Sequence, residues 1–156
     1  MATSLYCVLA MNARATIVDY GISNLWSVRS ALHYLGYESV VSCNPSEVAQ
    51  ADVLILPGVG SFRKAMAALK KLHLDEAILE ATTGKGRKIL GICLGMQLLA
   101  MRSTEDGETA GLGLIASDVE RFDSLAMGQL KVPHIGFNQV HNEDQSSLFR
   151  GIAPSA

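Results

Sequence analysis

KILGICLGMQLL, residues 88 to 99, places Cys93 between Gly91 and Gly95 at the end of an apolar run. G-x-C-x-G between an apolar strand and an apolar-periodic helix (Met96, Leu98, Leu99) has the form of a nucleophile elbow with cysteine as nucleophile. The glycines relieve crowding in a sharp strand-to-helix turn. A helix N-terminus beside a thiol favours its thiolate, and the amide of Leu94 points toward any oxyanion formed at an attacked carbonyl. By itself the pentapeptide fits a buried cysteine packed by glycines equally well. A second glycine turn, Pro57-Gly58-Val59-Gly60, shifts the balance to a nucleophile, because glycines there let peptide amides turn into the same space.

Such a cysteine needs a strand ending at residue 93 and neighbouring strands ending at the same edge. ATIVDYG (15–21) is a β-branched run closed by glycine. In ISNLWSVRSALHYLG (22–36), Ile22, Leu25, Val28, Leu32 and Leu35 recur at spacings of three and four, which predicts a helix. Asn24 or Ser23 can cap it, and Gly36 can end it in the left-handed conformation. ESVVSC reads as a strand, PSEVAQA as a short helix and DVLILPGVG as a buried strand running into a turn. SFRKAMAALKKL is helical with Phe62, Met66 and Leu69 inward, DEAILEATTGKG extends it, and KILGI is a further apolar strand.

Strands apolar on both faces, separated by helices, predict a parallel sheet covered on both sides. From about Gly111 the pattern changes to short strands, DVERF and KVPHIGFNQV, joined by turns. The expected architecture is a three-layer, flavodoxin-like α/β domain over residues 14–156, with added antiparallel strands in its last third. Ligands of such sheets bind beyond the carboxyl ends of the strands. Asp19-Tyr20-Gly21, Pro57–Gly60 and Cys93 all reach that edge.

The composition narrows the setting. With 156 residues, 49% hydrophobic and 18% charged, the chain has enough material for one core. A net charge of −2 gives no electrostatic reason to expect nucleic acid or an anionic membrane. No apolar run approaches the ~20 residues of a membrane span. Cys7, Cys43 and Cys93 match neither a disulfide framework nor a metal cluster, so a reducing, cytoplasmic setting without metal is expected. LYCVLAM (5–11) is apolar, but no basic residue precedes it, and cleavage at Ala13-Arg14-Ala15 would abut the first strand. Residues 1–13 therefore read as an extension outside the core, with Met11 an alternative start.

LPGVGSF, KILGICLGMQLL, GLGLI and KVPHIGFNQV, in this order, resemble the glutaminase subunits of imidazole glycerol phosphate synthases, class I (triad-type) glutamine amidotransferases of histidine biosynthesis. DYGISNLWSV resembles the family's D-Y-G-x-G-N-x-x-S-V, with Ser23 where glycine is usual. The resemblance implies that Cys93 attacks the side-chain amide of glutamine and forms a glutamyl thioester, without cofactor. It implies that Gly58, Val59, Gly60 and the Leu94 amide form the oxyanion and substrate strand, and that Gln97 and Glu105 hold the amino-acid end of glutamine. It also implies a (β/α)₈-barrel cyclase as partner, facing Asn24, His134, Ile135 and Phe137, the last at a position where tryptophan is usual.

The chain departs from this pattern in one respect. A nucleophile of this type needs a base, oriented by a third group. In the family both come from a His-Pro-Glu segment, and none of His33, His73, His134 and His141 stands in one. The catalytic His and Glu are therefore expected to be absent from this chain, which reads as a C-terminally incomplete amidotransferase. His33 and His73 read as surface residues in or near helices. Two alternatives accompany the amidotransferase reading: a partner-binding protein without catalysis on the same fold, and a cysteine hydrolase or stress protein with a similar elbow.

Overall fold

The computed structural model describes residues 14–122 and Gln139. The chain divides into two units between Arg121 and Phe122, and every described strand and helix belongs to the first. The expected extension at 1–13 lies outside the described residues.

Four strands, β1 (Ala15–Val18), β2 (Ser39–Ser42), β3 (Val53–Gly58) and β4 (Lys88–Cys93), form a sheet in the order β2-β1-β3-β4. Every pairing is parallel, as the βα alternation requires. The β3–β4 register sets Gly58 opposite Cys93, so the glycine turn and the cysteine leave the sheet side by side.

Helix α1 (Leu25–Tyr34) is capped by Asn24, whose side chain accepts from the Ser27 amide at 3.4 Å, and Gly36 turns the chain at φ 80°. Its Leu25, Val28 and Leu32 pack on Ala15, Ile17 and Ile55. Leu35, expected on that face, is 65% exposed because it stands at the C-cap, where helical periodicity has ended.

On the other face lie α2 (Pro45–Ala49), α3 (Phe62–Lys71) and α4 (Leu74–Leu79). Helix α3 buries Phe62, Ala65, Met66 and Leu69, and Ser61 caps it. The expected continuation into DEAILEATTGKG is interrupted. His73 adopts φ 55° and starts α4 as a separate helix, so that Leu74, Ala77 and Ile78 turn back into the core, and a π-helical turn follows over Glu80–Gly84.

Helix α5 (Leu94–Leu98) is shorter than the apolar periodicity suggested, because Ala100 already begins β5 (Ala100–Ser103). Leu94 and Leu98, one turn apart, are buried, whereas Met96 is 55% exposed. A second sheet has the order β6-β5-β7, with β6 (Thr109–Ala110) antiparallel to β5 and β7 (Ile115–Val119) parallel to it. The expectation of purely antiparallel added strands is thus corrected. The loop before β7 runs back along the start of β5, with the Gly113 amide on the Ala100 carbonyl at 3.0 Å and the Ile115 amide on the Leu99 carbonyl at 2.9 Å, so both strands set out from the same end. The strand expected from DVERF starts earlier, at Ile115. KVPHIGFNQV lies outside the described residues except for Gln139.

Candidate active site

Cys93 ends β4 and caps α5 at φ 56°, ψ −118°. Only His73 shares a positive φ among the described non-glycine residues. Holding an L-residue there costs about 1–3 kcal/mol, so the surroundings must over-determine it. They do so through two glycines. A Cβ on Gly91 would stand 2.5 Å from the Met96 Cα and 2.6 Å from its nitrogen, and a Cβ on Gly95 would run into the Leu56 carbonyl. Helix α5 therefore lies directly on the backbones of β3 and β4, and the chain turns sharply enough to leave Cys93 exposed while Leu94 is buried. Both motif glycines are required by backbone approach, as the G-x-C-x-G spacing predicted.

Beside Cys93, β3 ends in buried Pro57 and Gly58, and the turn after it emerges at exposed Val59 and at Gly60, which adopts φ 92°. The Val59 amide donates to the Ile22 carbonyl at 3.4 Å. The loop after β1 comes in from the other side. Asp19 accepts from the Gly21 amide at 2.9 Å and its own amide donates to the Ser42 carbonyl at 2.9 Å, which fixes the turn. Tyr20 turns inward, is 3% exposed, and donates from its hydroxyl to the Pro57 carbonyl at 2.8 Å. Burial, helped by the negative charge that Cys93 can carry, pushes the Tyr20 phenol up to about 12. Sequence reasoning placed Tyr20 at this edge but gave it no task.

Gln97, half-buried, stands one helical turn after Cys93. Glu105 lies on an exposed loop that is drawn to the same region: Ser61 donates to Asp106 at 2.6 Å while accepting from the Lys64 amide, and the Arg63 guanidinium packs against Gly107. Ser61, Arg63 and Asp106 were missed, because nothing local in sequence links residues 45 positions apart. Asn24 is occupied as the cap of α1. The Ser23 hydroxyl oxygen, at the position where glycine is usual, is buried without a hydrogen-bond partner among the described residues.

His33 and His73 are exposed as expected. His33 is in the last turn of α1, and His73 follows α3. Both helices run away from the carboxyl edge, so neither imidazole joins Cys93. An open cavity of about 900 Å³ runs along α1 to the other end of the sheet, between Trp26, His33 and Tyr37, and is separate from the cysteine. His134, Ile135, Phe137 and His141 lie outside the described residues, where His141 precedes Glu143 in a His-x-Glu spacing that is not His-Pro-Glu. Among the described residues no cluster of His, Cys, Asp or Glu could hold a metal, and no helix is long and apolar enough to cross a membrane.

The chain is similar to known proteins over most of its length. It is 39% identical to the imidazole glycerol phosphate synthase subunit HisH 1 of Parasynechococcus marenigrum, over 90% of this chain and 67% of that protein. It is 45% identical to HisH of Oceanobacillus iheyensis (85% and 64%) and 48% identical to HisH of Moorella thermoacetica (87% and 62%). The chain thus spans about two thirds of the length of the curated relatives it matches. Among solved structures, a peptidase E protein of Listeria monocytogenes superposes with a TM-score of 0.54 at 16% identity, over 68% of this chain and 64% of that one, which bears on the fold alone. The family model of class-I glutamine amidotransferases matches residues 16–156, from the first strand through the elbow and beyond. With the parallel sheet, the strained cysteine and that match in agreement, the chain belongs to the class-I glutamine amidotransferase family.

Proposed function

We propose that the chain acts as the glutaminase side of an imidazole glycerol phosphate synthase, in the cytoplasm. One observation carries this reading above the others: Cys93 is held at φ 56°, ψ −118° opposite Gly58, where a thiol has no packing role and a strained backbone has a chemical one. The Cys93 thiolate attacks the side-chain carbonyl carbon of glutamine. The tetrahedral oxyanion is received by the Leu94 amide and by an amide of Gly58–Gly60. Collapse forms the thioester and releases ammonia, which leaves once protonated, and water then frees glutamate and restores the thiol. Gln97 and Glu105 suit the amino-acid end of the substrate, Glu105 opposite its ammonium.

The base that shuttles the proton is not among the described residues. General acid–base help of that kind contributes about 10²–10⁴-fold to turnover. Ammonia loses its nucleophilicity on protonation, which favours a docked acceptor enzyme, here a (β/α)₈-barrel cyclase. Asn24, His134, Ile135 and Phe137 are the residues proposed to face it. The family match and the HisH relatives weigh against the cysteine hydrolase or stress-protein alternative.

The test is peptide mapping after treatment with a chloroketone analogue of glutamine. Selective modification of Cys93, blocked by glutamine, is expected; equal modification of Cys7 and Cys43 would overturn the reading. For the partner, co-purification with the cyclase should be lost on changing both Asn24 and Phe137 to alanine, and unchanged binding rejects this surface.

A further inference from the structure

We infer that Tyr20 is a positioning residue for the cysteine site: by donating to the Pro57 carbonyl, its hydroxyl orients the Pro57–Gly58 peptide and with it the amides that face a substrate on Cys93. The inference rests on the glutaminase reading and adds to it a residue on a different strand from the nucleophile.

The geometry is specific. Pro57 has no N–H, so its carbonyl is the single backbone hydrogen-bonding group by which residue 57 can be held. A trans peptide sets that carbonyl opposite the next N–H. Fixing the Pro57 oxygen on the Tyr20 side therefore turns the Gly58 N–H to the other side. The hydroxyl also lies against the Cα of Gly58, where a Cβ would collide with it. Gly58 is the residue paired with Cys93. Tyr20 itself cannot drift, because its ring belongs to the main apolar cluster and the preceding Asp19 is tied to Gly21 and to Ser42. The ends of β1, β2 and β3 are thus locked together beside the cysteine.

A phenylalanine would fill the same apolar space. A buried hydroxyl gains one hydrogen bond and loses its hydration, so packing gives no reason to prefer it. Its bond to the glycine turn that stands next to Cys93 supplies a reason.

The experiment uses the 156-residue chain and two probes, the chloroketone analogue of glutamine and iodoacetamide, with rates read at the Cys93 peptide. The first probe needs the substrate pocket and the second needs only an accessible thiol. Tyr20→Phe is expected to lower the chloroketone rate about tenfold while leaving the iodoacetamide rate within about twofold. Gly58→Ala is expected to lower the chloroketone rate as well. In the Tyr20→Phe background its further loss should be smaller, because the added methyl then meets only the Gly95 nitrogen at 3.0 Å and the Leu94 Cβ at 3.1 Å.

An unchanged chloroketone rate in Tyr20→Phe, equal falls with both probes, strictly additive losses in the double variant, or a Tyr20→Phe chain that no longer folds by circular dichroism would each overturn the assignment. If wild-type Cys93 shows no preference for the chloroketone, the glutaminase reading fails, and the role given to Tyr20 fails with it. A preference that is undiminished in Tyr20→Phe removes the Tyr20 inference alone.

Discussion

The two faces of the four-stranded sheet are built differently. On one, Leu54, Leu56 and Val18 meet side chains of α2, α3, α4 and α5 in a broad cluster that includes Phe62, Met66, Leu69 and Ile78. On the other, among the described residues, α1 covers Ala15, Ile17 and Ile55, and in the next strand Leu90 and Ile92 are 54% and 38% exposed. The expectation of strands covered on both sides holds for β1 and β3 and not for β4 among the described residues. The elbow belongs to the thick face, since Gly91 and Gly95 make their close approaches to α5 and to Leu56. Strain at Cys93 is therefore held where packing is densest.

Substitutions that attack the thick face should show this most strongly. Gly95→Ala drives a methyl into the Leu56 carbonyl, which has no flexible side chain to yield. A loss of about 4 kcal/mol in urea unfolding is expected, with Cys93 labelling by the chloroketone abolished. Leu69→Ala, with no catalytic contact, should cost about 3 kcal/mol, whereas Leu32→Ala on the thin face should cost about 1 kcal/mol. Equal losses would mean that the two faces do not differ in packing.

Smaller effects sharpen the same contrast. Cys93→Gly removes the reactive group and the steric objection to a positive φ, so it should raise stability by about 1 kcal/mol while eliminating labelling. A destabilised Cys93→Gly would show that the thiol packs.

The smallest effect concerns pH. Tyr20 titrates at about 12 in the folded chain against its ordinary 10.0. The folded state thus keeps a proton that the unfolded chain releases. The associated stability is whole below pH 10 and is lost as pH rises through about 12. The urea midpoint of wild type should accordingly fall relative to that of Tyr20→Phe between about pH 9 and about pH 11.5. A constant difference would place the phenol in water.

Much of this was legible in the residues. Alternating periodicities located β1, α1, β2, α2, β3, α3 and β4 because each is a local pattern, and the spacing of Gly91, Cys93 and Gly95 reported a turn whose geometry is itself local. The misses have a common cause. The break at His73 comes from a need to return Leu74 and Ile78 to the core, the early end of α5 from pairing between β5 and β7, and the direction of β7 from hydrogen bonds to Leu99 and Ala100. In the site, Cys93 and its glycines were readable, whereas the bonds from Tyr20 to Pro57 and from Ser61 to Asp106 join distant segments and carry no local signature.

The seating of Gly95 on Leu56 also has a kinetic consequence. The two residues come together only after β3 and β4 have paired, so the contact that holds Cys93 in its left-handed conformation cannot exist early on the folding path. The elbow should be relaxed in the transition state and tightened after it. Cys93→Gly should then leave the refolding limb of the chevron unmoved and lower the unfolding limb, by about fivefold for 1 kcal/mol. In that case the thiol becomes poised for chemistry only at the last step of folding, and a chain still on its way to the native state carries an ordinary cysteine.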